Sequence, residues 1–167
     1  MKQNMDSKRL HRACFTGHRP EKMNMSEREI KKLLRSVITK SIEEGYTTYI
    51  SGMARGFDLW AADVVLEAKE RNSDIHLICA LPIKDFERMW PPAEQKHYRD
   101  ILSKADYIKV VSEHYSRSCF QLRNMYMVDR AARVIAAYNG GAGGTLNTIN
   151  YAKRNNVEVI NILQGCK

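Results

Sequence analysis

The sequence predicts an α/β domain of Rossmann-like architecture: a single, mainly parallel sheet of about six strands with helices on both faces. Three observations carry this expectation. Short apolar runs alternate with stretches of helical periodicity along the chain. Most of those runs lack the polar alternation of a half-exposed strand, which is the pattern of strands covered on both sides. Three glycine-bearing segments stand where a strand-like run gives way to a helical pattern, the position of ligand loops in such sheets. With 167 residues and 44% hydrophobic content, the chain can bury one proper core.

Residues 1–11 read as a frayed N-terminus, 12–163 as the domain and 164–167 as a loose C-terminus. Ala13-Cys14-Phe15 reads as the first buried strand, ending at Thr16-Gly17-His18-Arg19-Pro20. Pro20 removes a donor there, and Gly17 permits a sharp turn. Ser26 and Glu29 form a capping-box pair, and Ile30, Leu34 and Ile38 follow helical spacing until Gly45. Thr47 to Ile50 is the second strand, leading into Ser51-Gly52-Met53-Ala54-Arg55-Gly56-Phe57-Asp58 and a helix with Leu59, Ala62 and Val65 on one side. Ile75 to Leu81 is the third strand. Trp90-Pro91-Pro92 interrupts regular structure before the next helical pattern, and Trp90 reads either as a wall of a base pocket or as an anchor for its loop. Asp106 to Val111 is the fourth strand, Phe120 to Ala131 a helix carrying Arg123 and Asn124, Arg133 to Ala137 the fifth strand, and Val157 to Leu163 the sixth.

Between the fifth strand and the last helix lies Tyr138-Asn139-Gly140-Gly141-Ala142-Gly143-Gly144-Thr145, with four glycines in five positions. Glycine leaves no Cβ between backbone and ligand, and the helix that follows turns free N–H groups toward an anion. The segment reads as a phosphate cradle, against the plainer alternative of a turn closing a crossover. Arg19 and Arg55 are guanidinium donors suited to phosphate; Thr16, Ser51 and Asn139 offer polar contacts to phosphate and ribose. Asp58 reads either as a helix cap or as a partner for ribose hydroxyls.

Lys and Arg number 27 against 19 Asp and Glu, a formal +8, so the surface attracts anions. Cys14, Cys79, Cys119 and Cys166 show no paired spacing, which points away from a disulfide frame and a zinc site, and Cys14 and Cys79 read as buried free thiols. No secretory leader or membrane-spanning run is visible, and the expectation is a cytoplasmic protein.

Three segments together, Thr16-Gly17-His18-Arg19-Pro20, Ser51 to Asp58 and Tyr138 to Thr145, resemble the SLOG superfamily, which includes the Smf/DprA DNA-processing proteins and the LOG phosphoribohydrolases. The best match is its YpsA-like branch, and the likeness runs from about Arg12 to Leu163. It implies a nucleotide-type ligand, ADP-ribose-like among the options, held by Thr16, Gly17, His18, Arg19, Ser51, Gly52, Met53, Ala54, Arg55, Gly56, Asp58, Asn139, Gly140, Gly141, Gly143, Gly144 and Thr145. It implies no required cofactor or metal and no established reaction. The hydrolase branch carries an acid in its glycine motif, where this chain has Asn147 or Thr148; Arg123 resembles that branch's helical arginine, and Glu113, Asp58 or Asp129 would have to supply a displaced acid. The leading expectation is thus a nucleotide-binding sensor or regulatory module, with an N-glycosidase and a single-strand DNA binder as alternatives. Phe120, Met125, Tyr126 and Met127 crowd one helix with more apolar surface than one face buries, which suggests a homodimer.

Overall fold

Apolar runs without alternation become the middle of the sheet. In the computed structural model, which describes residues 7–164, β1 (Arg12–Gly17) pairs in parallel with both β2 (Thr48–Ser51) and β5 (Arg133–Ala137). Every residue of β5 is buried. β3 (His76–Leu81) lies beyond β2, with β4 (Tyr107–Val110) at that edge and β6 (Glu158–Asn161) at the other. The order β4-β3-β2-β1-β5-β6 is parallel throughout and defines a Rossmann-like α/β fold.

Helices cover both faces, as continuous apolar strands require. Strand residues alternate in direction, so Ala13 and Phe15 enter one core and Cys14 the other. The first core takes Ile30, Leu34 and Ile38 of α1 (Glu27–Glu43), Phe57, Ala61 and Val65 of α2 (Phe57–Arg71), and Tyr98 and Ile101 of α3 (Pro92–Lys104). The second takes Met127 and Val128 of α4 (Cys119–Asp129) and Ile149 and Ala152 of α5 (Gly144–Arg154). Cys14, Cys79 and Cys119 are buried free thiols, and burial raises Cys14 and pushes Cys79 up to about 12; Cys166 lies outside the described residues.

Several strand ends shift by a residue or two from expectation, and three of them for local reasons. β1 continues through Thr16 and Gly17, because these residues still pair with Ala136 and Ala137. β6 stops at Asn161, whose side-chain amide takes over the ladder by accepting from the Tyr138 N–H at 3.1 Å and donating to the Tyr138 carbonyl at 2.7 Å. β4 starts after Asp106, whose carboxylate accepts the Leu77 N–H at 2.8 Å. The expected frayed start and loose tail fall largely on residues 1–6 and 165–167, outside the described residues. His11 is already tied in, its carbonyl accepting from Thr47 and Thr48.

The chain steps outward from β1 to β4 and then returns to place β5 on the opposite side of β1. That reversal opens a crevice at the carboxyl ends of β1 and β5. Two close approaches fix its floor. A Cβ on Gly17 would sit 2.5 Å from Cγ of Phe57 and 2.9 Å from its Cβ, and one on Gly56 would sit 2.5 Å from Cδ of Pro20. The first loop is thereby seated directly on the start of α2. Gly17→Ala should destabilise the protein by about 1–3 kcal/mol, the range for forcing a methyl into a packed site. Urea denaturation checks this, and an unchanged midpoint would show that the Phe57 ring moves aside freely.

Candidate functional site

A parallel sheet with crossover helices puts the helix starts at the carboxyl edge of its strands, but the starts here are not alike. α1 is closed by its own side chains: Ser26 Oγ accepts the Glu29 N–H at 3.2 Å while Glu29 accepts the Ser26 N–H at 2.8 Å. α5 begins at Gly143 with no side-chain cap and no acidic residue in its first turn. Gly140, Gly141 and Gly143 have φ of 115°, 89° and 144°, values that favour glycine, and a Cβ on any of them would meet nothing within 4 Å. The glycine loop therefore faces open space and leaves the first N–H groups of α5 to solvent or ligand.

That space is a hollow of about 370 Å³ between the three loops. Gly17, His18 and Arg19 line it from β1, Ala54, Arg55 and Asp58 from β2 and α2, and Gly143, Gly144 and Thr145 from α5. Thr16 completes the wall under the first loop. The loops are joined by direct contacts: the His18 N–H donates to the Ala137 carbonyl at 3.1 Å, the His18 ring packs on Tyr138 with centroids 5.1 Å apart, and Asn139 Nδ2 donates to the Lys22 carbonyl at 2.8 Å.

The remaining sequence candidates lie behind or beside the hollow. Ser51 is fully buried; its hydroxyl donates to the Asp58 carbonyl at 2.9 Å and accepts the Met53 N–H at 3.2 Å. Met53 is buried at a positive φ of 59°, Gly56 meets Pro20, and Asn139 spends its amide on Lys22. Gly140 and Gly141 shape the loop without lining the hollow, and the Gly141 carbonyl accepts from the Tyr138 hydroxyl at 2.8 Å. These residues build the walls.

The electrostatics are uneven. Arg19 and Lys22 are exposed at the rim. Arg55 is also at the rim but is held by Glu94 of α3 in a two-pronged ion pair, with Nη2 to Oε1 at 2.9 Å. Burial, then Lys22, lowers His18 below its ordinary value despite a hydrogen bond with the Gly140 backbone, so its imidazole is neutral near pH 7. Arg123 is the deep cation: it is buried on α4, donates Nη1 to the Gly52 carbonyl and Nε to Asn124 Oδ1 at 2.8 Å, and lines the hollow. Asp58 is buried beside it, and a Cβ on Gly52 would sit 2.9 Å from Asp58 Oδ2 and 3.0 Å from Arg123 Cζ.

Asp58 does not cap α2. The cap position is Gly56, and the Asp58 carboxylate, inside the first turn, accepts the Ala54 N–H at 3.2 Å. Burial lifts its carboxyl from 3.8 to about 6, against the pull of Arg123 and the Ala54 N–H. Burial prevails because the Arg123 donors point at Gly52 and Asn124 rather than at the carboxylate. Of the three acids considered for catalysis, Asp58 alone lines the hollow; Asp129 accepts the Tyr151 hydroxyl at 2.6 Å, and Glu113 is exposed after β4. Asn147 is exposed, and the Thr148 hydroxyl is turned back to the Gly144 carbonyl at 2.8 Å.

Sequence reasoning missed Phe15, Lys22, Phe120, Asn124 and Ala142 as lining residues. A signal was present for two of them: Phe120, Arg123 and Asn124 stand at i, i+3 and i+4 and share one helix face. Among the described residues no cluster of three potential metal ligands occurs, and no helix is long and apolar enough to cross a membrane.

The raised Asp58 value fixes the sign of a pH effect. Between about pH 4 and pH 6 the folded state holds this proton more tightly than the unfolded chain, so its contribution to stability is present at low pH and lost as pH rises through about 6. The stability of the protein minus that of Asp58→Asn should therefore fall by up to about 3 kcal/mol from pH 4 to pH 7. Urea denaturation at fixed pH values measures this, and a flat difference would show an ordinary carboxyl.

Comparison with known proteins places this site in context. The sequence profile of the YspA SLOG family matches residues 13–162. A UPF0398 protein of Bacillus thuringiensis (strain Al Hakam) is 27% identical over 156 residues, covering 89% of this chain and 85% of that one, and one of Bacillus cereus (strain AH187) matches equally. DNA processing protein A of Streptococcus pneumoniae superposes with a TM-score of 0.63 at 17% identity, over 92% of this chain and 50% of that one. DNA processing protein A of Helicobacter pylori, studied for its single-stranded DNA binding mode, gives 0.62 at 18% identity, over 93% and 66%. The chain thus spans between half and two thirds of those DNA-processing chains and shares their fold. On the extent of the profile match, this chain belongs to the YspA SLOG family.

Proposed function

We propose that the protein binds a nucleotide or nucleotide derivative, ADP-ribose-like molecules included, through its phosphate, and acts as a sensor or regulatory module. One observation carries the reading: the uncapped, acid-free start of α5 opens into the same hollow as Arg19, Lys22 and Arg123. Free N–H groups, the helix dipole and three cations then converge on one anion, and family membership and the likeness to DNA-processing proteins support a phosphate-bearing ligand. Asp58, which lines the hollow, would accept from ribose hydroxyls. We assign the protein to the cytoplasm, where Cys14, Cys79 and Cys119 stay reduced.

Gly144→Asp tests this cleanly. Gly144 has ordinary backbone angles and open space around its would-be Cβ, and an acid in the first turn favours a helix. The variant should melt no lower than the parent yet bind nucleoside monophosphates and ADP-ribose at least ten-fold more weakly in calorimetry. Equal binding by both proteins, or none by either, would refute the phosphate site.

A second reading, nucleotide N-glycosidase, is favoured by Asp58 alone: a buried carboxyl with a value near 6 beside Arg123 suits proton transfer to a leaving base. Release of free base from nucleoside monophosphates should then vanish in Asp58→Asn and in Arg123→Ala. No release from any common nucleotide removes this reading.

A further inference from the structure

We infer that the hollow over the glycine loop is the phosphate half of a two-part site, and that an adjoining recess walled by Phe86, Trp90 and Phe120 receives the nucleobase of the same ligand. This rests on the phosphate reading above and names the ligand class: a nucleoside 5′-phosphate or a longer free nucleotide, in preference to a sugar phosphate or bare pyrophosphate.

The recess measures about 300 Å³ and shares Arg19, Ala54, Arg55 and Phe120 with the hollow, so the two adjoin. Its polar and apolar parts are segregated. The helix start and Arg123 line only the hollow, Arg19, Arg55 and Phe120 line both, and Phe86 and Trp90, with Pro20 and Glu21, line only the recess. A nucleotide has the same order: phosphate, sugar, flat base.

The aromatic wall is preorganised. Phe86 meets Trp90, Tyr98 and Phe120 edge to face, with centroids at 5.3, 5.5 and 6.5 Å, and Trp90 meets Tyr98 at 5.4 Å. Tyr98 is only 2% exposed and belongs to the core, so the loop carrying Phe86 and Trp90 is pinned from beneath. Phe120 is 42% exposed, with the Arg123 guanidinium 5.8 Å from its ring centroid. An aromatic ring kept in water at the mouth of a cationic cavity is a surface for stacking. Arg55 stands between the two parts, and its pairing with exposed Glu94 is of the kind that a phosphate can displace at little cost.

Phe120 is exposed, so Phe120→Ala should fold; thermal melting checks it. Calorimetry on the whole protein should give AMP at least ten-fold tighter than ribose 5-phosphate. Phe120→Ala should weaken AMP far more than ribose 5-phosphate, so that the ten-fold gap between them closes, and Phe120→Trp should restore the difference. Equal affinities for the two probes, or AMP binding indifferent to Phe120→Ala, would overturn the base recess and leave the phosphate site standing. Silence of both probes would bring down the phosphate site and this inference together. A five-residue oligodeoxynucleotide bound more than ten-fold tighter than AMP would overturn a free nucleotide as the ligand.

Discussion

The architecture of the site turns on one buried cation. Arg123 reaches from α4 across the sheet edge to the carbonyl of Gly52, next to the carboxylate of Asp58 at the start of α2. Guanidinium and carboxylate are both withdrawn from water, an arrangement that holds only when nearly every donor has a partner. A Cβ on Gly52 would crowd both charged groups. The loop after β2 is thus packed close against both, and it presents Ala54 and Arg55 to the hollow. Gly17 and Gly56 act in the same direction by letting the first loop sit on Phe57 and Pro20 against it. The first two loops are thereby packed together, and the His18–Ala137 and Asn139–Lys22 hydrogen bonds tie the glycine loop to them.

The fold was legible because its signals are redundant. Buried strands announced themselves as β-branched and aromatic runs, α1 as a capping box followed by helical spacing to Gly45, and the parallel order as strict alternation of strand and helix. What escaped were strand ends decided by side chains rather than by propensity. The Asn161 amide completes the β5 ladder at Tyr138, and no local pattern reveals that.

The site was legible in outline and blurred in detail. The three glycine segments did meet at one rim, but sequence could not separate residues that face the hollow from those that build it. Ser51, Gly52 and Met53 lie behind the wall, and Asn139 is spent on Lys22. Asp58 could not be resolved between cap and site residue, since both require an acid near a helix start; Gly56 takes the cap and frees the carboxylate for the wall. Arg55 looked like an unpaired phosphate donor because Glu94 lies 39 residues away along the chain. Long-range ion pairs leave no trace in local spacing.

The contrast between the first and last crossover helices has a thermodynamic corollary. α1 carries its own closure, whereas no side chain caps the first amides of α5. Any solute that settles there adds to the folding free energy by mass action, in proportion to the logarithm of its concentration. If the proposed anion site is occupied, the resistance of this protein to heat becomes a property of the chain together with the anions dissolved around it.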